Sequence, residues 1–395
     1  MRPAYEVADV LNAHWQELVR SSHFNTWQLR TLDAIRRCRS ASMGGHVDLC
    51  TACGHVRISY NSCRNRHCPK CQQIQRERWI QAREAELLPA TYFHVVFTLP
   101  EALNRLCLYE PAKMYKLLFD TAWGVIRSFA QDEKHLGADT GMISILHTWG
   151  QNLSLHPHIH CIVPGGGLTQ AGYWKNARGG GKFLFPVKAM SAVFRARFVT
   201  ALRNSIKGLD KSFYNNLFKT SWVIYAKRPF GGPQQVIEYL GRYTHKIAIS
   251  NHRISAITVN AVSFRYKDYR DESKNKVMTL ESKEFIRRFS LHILPKGFPR
   301  IRHYGILSSR RKQKTLPLIH EQLNSLYQKV EKKDWKQIST ELGYNPDCCP
   351  VCKQQTMITL LCFDRRGPPD RTFLQSFIHG NPSLREKKQP LTVQQ

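Results

Sequence analysis

The chain has 395 residues, 42% of them hydrophobic, enough for two or three domains with real cores. Its 59 Lys and Arg outnumber 29 Asp and Glu, a formal charge of +30, and 19 Phe, 15 Tyr and 8 Trp are spread among them. That balance fits a polyanionic partner, nucleic acid first, with a merely basic protein as the plain alternative.

No apolar run reaches the ~18–20 residues of a membrane span. Arg2, Glu6 and Asp9 speak against a signal peptide, so a reducing cytosol is the expected location. Twelve cysteines in a reducing compartment point to metal ligands more than to disulfides.

In chain order, residues 5–38 read as two amphipathic helices broken at Ser21-Ser22-His23. Residues 44–72 are rich in cysteine, and a charged helix runs from Gln72 to Leu88, ahead of Pro89. Y-F-H-V-V-F-T-L over 92–99 is a buried strand ended by Pro100, followed by helical pattern through 131. Residues 142–148 and 156–163 read as strands close enough to form an antiparallel hairpin. Glycine triplets at 165–167 and 179–181 bracket a loop. Helix is expected over 187–206, strand over 222–227, helix over 234–244, one or two strands over 254–266 and a basic helix near 282–290. The polar tail beyond about 368 is expected to be disordered. Strands mixed with helices, without a regular βαβ repeat, indicate an α+β fold with an antiparallel sheet.

Cys50-Thr-Ala-Cys53 and Cys68-Pro-Lys-Cys71 are two C-x2-C knuckles flanking residues 54–67. Four thiolates at that spacing suit a closed, tetrahedral, structural Zn2+ in a zinc ribbon or finger. Cys63, His67, His46 and His55 lie nearby and could complete a second site or replace a ligand. Arg57, Arg64, Arg66 and Lys70 surround the cluster, which suits contact with a nucleic-acid backbone. A third knuckle, Cys349-Pro-Val-Cys352, has no obvious second half nearby. It is either a half-site completed from elsewhere or a pair of ordinary cysteines in a turn.

Leu155 to Gly166 reads L-H-P-H-I-H-C-I-V-P-G-G. Period-two spacing puts His156, His158 and His160 on one face of a strand, with Ile159, Cys161 and Val163 on the other. His158 and His160 make a ready pair of ligands for a divalent ion. Further along, V-I-E-Y-L-G-R-Y-T-H carries Tyr239 and Tyr243. On a helix both phenols project from one face, with Cβ atoms roughly 5–6 Å apart. Each motif alone has an ordinary reading: a zinc hydrolase site for the first, packing for the second. Together they supply complementary halves of one reaction. A phenol of pKa near 10 is a poor nucleophile at neutral pH, and a divalent cation beside it can polarise a scissile phosphate. No Walker loop is present, since Arg178-Gly-Gly-Gly-Lys182 lacks the required spacing.

H-P-H-I-H-C-I-V-P-G-G together with Y-L-G-R-Y-T-H-K-I-A-I-S-N resembles the two-tyrosine HUH transposases of the insertion sequence 91 family. The N-terminal C-x2-C and S-C-R-N-R-H-C-P-K-C resemble that family's zinc-binding domain, and the likeness covers most of 1–310. The resemblance implies an HUH-type antiparallel sheet with flanking helices, preceded by a helical, zinc-ribbon-like domain. The expected domains are 1–90, helical and zinc-binding, and 91–300, catalytic, followed by a basic C-terminal region over 301–395 with a disordered tail, whose last 80 residues carry no motif of the family. It implies rolling-circle-like transposition in which single-stranded DNA is cut and rejoined through 5′-phosphotyrosine links. Tyr239 and Tyr243 are the implied nucleophiles, and His158 and His160 the ligands of a catalytic Mg2+ or Mn2+. For the third ligand Gln151 is the first choice, His156 the second and His147 the third. Arg242, His245 and Lys246 flank the tyrosines as candidate phosphate contacts. DNA is the implied partner, with host replication or helicase factors beside it. Two readings compete: another HUH enzyme, such as a plasmid replication initiator or relaxase, and a non-catalytic zinc DNA-binding protein.

Overall fold

The computed structural model describes residues 3–84, 86–178, 184–226, 230, 235–236, 239, 241, 247–269, 271–327, 333–370 and 372. Its contacts divide the chain into two units. The first joins Met1–Arg78 with Ser250–Val259 and Lys332–Gln395; the second joins Trp79–Ile249 with Asn260–Glu331. Both ends of the chain therefore belong to one unit. This differs from a division in chain order at residues 90 and 300, because the strand formed near the C-terminus pairs with one near the N-terminus. The tail expected to be disordered lies, from residue 373, outside the described residues.

In the first unit, helices Val7–Arg20 and Thr26–Arg36 bury Val7, Val10, Leu11 and Leu18, and Leu32 and Ile35. The second starts at a reciprocal cap: Asn25 accepts from the Gln28 N–H at 2.9 Å, and Gln28 accepts from the Asn25 N–H at 3.0 Å. Strand Gly45–Cys50 is central in a three-stranded antiparallel sheet, between Val56–Tyr60 and Met357–Phe363. One cross-strand row ties all three together. Asp48, buried on the middle strand, accepts from Arg57 at 3.0 Å on one neighbour and from Thr359 at 3.0 Å on the other. Arg57 also donates to the carbonyl of Pro346 at 2.9 Å.

The second unit is built on a five-stranded antiparallel sheet. Its strands run in the order Ile301–Gly305, Gly141–Trp149, Leu155–Pro164, Tyr92–Thr98 and Ile224–Ala226. One face carries Leu146, Ile159, Cys161, Val163, Val95 and Phe97. It packs on helices Pro111–Gln131 and Val187–Ser205 through Leu118, Phe119, Phe194 and Phe198, all fully buried. Each such side chain contributes roughly 1.5–3 kcal/mol. On the opposite face Ile143, Ile145 and Ile162 meet Val236, Leu316 and Ile319. The sheet is thus covered on both sides, and the α+β reading with flanking helices holds.

Four elements of this unit carry no clear signal in the sequence: helix Lys211–Lys219, strand Lys274–Glu281, strand Ile301–Gly305 and helix Lys312–Gln322. The expected loop after Gly165 contains a short hairpin, Gly166–Leu168 with Trp174–Asn176. Gly166 is required there, since a Cβ would lie 2.3 Å from the Trp174 ring. Among the described residues no helix is long and apolar enough to cross a membrane.

Candidate functional site

The strand Leu155–Pro164 alternates as its sequence demands. Ile159, Cys161 and Val163 enter the helix-covered core, and His156, His158 and His160 take the other face. The hairpin register then selects their neighbours. His158 pairs directly with His147, and His160 with Ile145 on one side and Val96 on the other. Residues paired across a ladder share a face, so His147 joins the two histidines. One ring nitrogen from each of His147, His158 and His160 falls within a sphere of ligand atoms no more than 4.8 Å apart. The ring centroids stand 4.6 Å apart for His147 and His160, and 4.9 Å for His158 and His160. His147 is buried, and His160 is only 9% exposed.

The hydrogen bond of the His158 ring fixes its tautomer. His158 Nδ1 lies 2.7 Å from the carbonyl of His156, so Nδ1 carries the proton and Nε2 offers its lone pair. His160 Nδ1 is 3.0 Å from the Tyr239 hydroxyl and 2.9 Å from His94 Nε2, and that same hydroxyl is 2.7 Å from His94 Nε2. His94 comes from the neighbouring strand, Tyr92–Thr98, and its ring sits 4.5 Å from that of Tyr239. Tyr239 follows Val236 on the segment covering this face, with Phe230 against its ring at 5.3 Å. Below the site, His292 donates from Nε2 to the Leu153 carbonyl and accepts at Nδ1 from Thr148, both at 3.1 Å. Burial holds that imidazole near 4, so it stays neutral and fastens the turn that joins the two histidine-bearing strands.

Of the residues expected from sequence, His158, His160 and Tyr239 come together here. Gln151 lies in the turn after Trp149, and His156 is exposed one step along the same face, its ring 5.2 Å from that of His158. Tyr243, Arg242, His245 and Lys246 lie outside the described residues. Sequence reasoning ranked His147 third and passed over His94. His94 had a signal, as the one imidazole in the strand Tyr92–Thr98. His147 had none: a regular count outward from Trp149 and Leu155 would set it opposite Pro157, and only the irregularity between His147 and Trp149 brings it opposite His158.

The cysteines do not form the single set Cys50, Cys53, Cys68 and Cys71. They separate into two groups of four: Cys38, Cys63, Cys68 and Cys71, and Cys50, Cys53, Cys349 and Cys352. The reason is that Cys50-x2-Cys53 closes the hairpin of the three-stranded sheet, where strand Met357–Phe363 brings the C-terminal knuckle alongside. In the first group Cys63 and Cys71 sulfurs lie 3.6 Å apart, and backbone N–H groups point at sulfur from Asn65 and Lys70. All twelve cysteines are free. Nearby, Arg39, Tyr60, Asn61, Ser62 and Arg64 line an open recess. Arg66 is half-buried, and Lys70 is engaged by Glu6 and by the Cys38 carbonyl.

Two protein-family models match the chain: one described as "Transposase zinc-binding domain" over residues 10–99, the other as "Putative transposase" over residues 141–314. The first span holds the whole of the Cys38–Cys63–Cys68–Cys71 group, a four-thiolate donor set suited to structural zinc. The second holds His147, His158, His160 and Tyr239. Among curated proteins, "Putative transposase y4qJ" of Sinorhizobium fredii is 44% identical over 393 residues, covering 93% of this chain and 98% of that protein. "Transposase for insertion sequence element IS801" of Pseudomonas savastanoi pv. phaseolicola is 28% identical over 350 residues, 82% of each chain. No solved structure matches. Likeness of this extent, carried by both the cysteine-rich segment and the histidine face, means that the chain belongs to the insertion sequence 91 family of transposases.

Proposed function

We propose that this transposase cuts and rejoins single-stranded DNA through a covalent bond between Tyr239 and a 5′-phosphate, at a divalent-metal site made by His147, His158 and His160. The observation that carries the reading is the Tyr239 hydroxyl, 3.0 Å from a nitrogen of His160, one of the three clustered histidines. A bound Mn2+ or Mg2+ would polarise the scissile phosphate and offset its developing charge. Three imidazoles favour Mn2+ over Mg2+ in that role.

The protein's own groups supply the rest. His160 donates from Nδ1 to the Tyr239 oxygen, which orients the phenol. His94 Nε2, 2.7 Å from the hydroxyl, accepts its proton as the oxygen attacks phosphorus. The bond from phosphorus to the 3′ oxygen breaks, and that oxygen leaves as a 3′-hydroxyl after taking up a proton. Bond energy is kept in the phosphotyrosine, so the reverse attack by a 3′-hydroxyl rejoins the strand without ATP. Tyr243, four residues on in sequence, serves as the second nucleophile for a linked second cut. Arg39 and Arg64 meet phosphates beside Tyr60, an aromatic surface for a base.

The test is to incubate the protein with single-stranded oligonucleotides from the element's ends and Mn2+ or Mg2+, then look for a denaturant-stable protein–DNA adduct. Wild type should form it. The Tyr239→Phe, Tyr243→Phe double variant should not. An adduct from that variant would place the nucleophile elsewhere. His94→Gln should slow adduct formation near neutral pH with DNA binding unchanged, and the difference from wild type should close at low pH, where a protonated His94 can no longer accept the tyrosine proton.

A further inference from the structure

The geometry points to a second zinc site, held by Cys50, Cys53, Cys349 and Cys352, that fastens the C-terminal segment to the N-terminal sheet. The matched zinc-binding domain ends at residue 99, so it contains only half of this donor set. The inference is independent of the proposed DNA chemistry.

Two observations carry it. The first is distance. Cys50 and Cys352 sulfurs are 3.6 Å apart, and Cys53 and Cys349 sulfurs 3.7 Å. A disulfide would require about 2.05 Å. Four sulfurs at the ~2.3 Å bond length of tetrahedral zinc stand about 3.8 Å from one another. The spacing is that of the edges of a zinc tetrahedron.

The second is that the two knuckles, distant in sequence, have the same backbone. In Cys50-Thr-Ala-Cys53-Gly54 the Gly54 N–H donates to the Cys50 carbonyl at 2.9 Å, and the Cys50 N–H to the His55 carbonyl at 2.8 Å. In Cys349-Pro-Val-Cys352-Lys353 the Lys353 N–H donates to the Cys349 carbonyl at 3.0 Å, and the Cys349 N–H to the Gln354 carbonyl at 2.8 Å. Each knuckle ends in a left-handed residue, Gly54 with φ +74° and Lys353 with φ +63°. That conformation costs a lysine strain that glycine does not bear. The loop it closes aims both sulfurs at one point, as the glycine does in the first knuckle. The Cys53 N–H also points at the Cys50 sulfur, 3.4 Å away, an orientation that suits a thiolate. A direct bond from the Thr51 N–H to the Thr356 carbonyl, at 3.0 Å, joins the knuckles beside the sulfurs.

This explains the division of the chain. The ribbon's first knuckle and two strands come from residues 45–60, and its second knuckle and third strand from 349–363. Zinc closes the chain on itself at that point, and the residues between the two halves enter and leave through it.

The experiment uses the full-length protein purified without chelator. Metal analysis of wild type should give two zinc ions per chain, and the Cys349→Ser, Cys352→Ser double variant should give one. Zinc-loaded wild type is also alkylated with iodoacetamide and mapped by mass spectrometry. Cys53 is exposed and would react readily as a free thiol. It should be protected together with Cys50, Cys349 and Cys352, while the exposed Cys362 reacts, and a chelator should release all four. The mapping decides the question even where the double variant fails to fold. One zinc in wild type, or two in the folded double variant, would overturn the proposal, as would alkylation of Cys53, Cys349 and Cys352 as fast as Cys362 in zinc-loaded protein.

Discussion

The histidine face and the cysteine ribbon both gather metal-binding side chains, yet they are assembled in opposite ways. His147, His158 and His160 come from one hairpin, and its backbone ladder places them before any ion arrives. Cys50 and Cys53 meet Cys349 and Cys352 from the far end of the chain. In the first case folding prepares the site. In the second, the proposed ion would help complete the fold, since structural zinc returns its binding energy as folding energy, about 10–16 kcal/mol in finger peptides. A chelator should therefore separate the two. At the histidines it should stop chemistry and leave the fold intact; at the ribbon it should loosen residues 349–363.

The largest effects should come from the face itself. His158→Ala or His160→Ala is expected to lower adduct formation by about 10³-fold, because the proposed ion would act on the developing charge and not on DNA affinity. Binding of single-stranded DNA by filter retention and the melting temperature should stay close to wild type. Cleavage at wild-type rate in the double alanine variant would break the comparison, since the hairpin would then be an ordinary packed strand. A large fall in melting temperature would break it from the other side, by giving the histidines a structural task.

The difference in assembly also explains what could be read in the sequence. Period two in L-H-P-H-I-H-C-I-V-P was enough to orient the strand, since its apolar half had only one place to go. The paired buried strand at 92–99 and the helices from 101 to 131 were legible for the same reason. The register of the hairpin near its turn was not legible. A one-residue irregularity between His147 and Trp149 shifts the pairing there, and the amide lies in the turn while His147 faces His158. The cysteines were grouped by nearness along the chain, and spacing carries no information on a half-site brought by the sheet. Strand Met357–Phe363 alternates too weakly to announce itself, with Ile358 exposed and Leu360 and Leu361 half-buried. Strand Ile301–Gly305 is short, polar and half-buried throughout, and so also left no clear pattern.

A smaller effect sharpens the choice of third ligand. His147→Ala should weaken Mn2+ activation, read as the metal concentration for half-maximal adduct formation. The shift should be at least the ~10–100-fold that loss of an outer-shell partner costs. Gln151→Ala should leave the same curve nearly unchanged. The reverse order would return the amide to the site and make His147 a packing residue.

In the ribbon the comparable hydrogen-bond test should alter stability and not chemistry. Asp48→Asn keeps the shape of the buried side chain but removes the charge shared between Arg57 and Thr359. The bonds from a guanidinium and a hydroxyl weaken, and one amide hydrogen faces a donor. A loss of about 1–2 kcal/mol is expected from the charge-assisted bonds. Denaturant melts would read it, with zinc content and adduct formation retained. A variant that keeps full stability would leave strand Met357–Phe363 held by its backbone ladder and the cysteines, with no contribution from the Asp48 row.

The smallest predicted effect has the opposite sign. Lys353 occupies the position that Gly54 fills in the matching knuckle, at φ +63° against +74°. A left-handed lysine costs about 1–2 kcal/mol in backbone strain, whereas glycine adopts that region freely. Glycine also gives the unfolded chain more freedom, which takes back roughly 0.5–1 kcal/mol. Lys353 donates to the Pro350 carbonyl at 2.8 Å from an exposed side chain, a bond that competes with water and contributes little. Lys353→Gly should therefore raise stability by about 0.5 kcal/mol, read as a small upward shift in melting temperature at unchanged zinc content. If the two knuckles are equivalent folds of the chain, the substitution that suits one suits the other. A clear loss of stability would mean that the second knuckle departs from the first, and that the lysine is held there by something other than the turn.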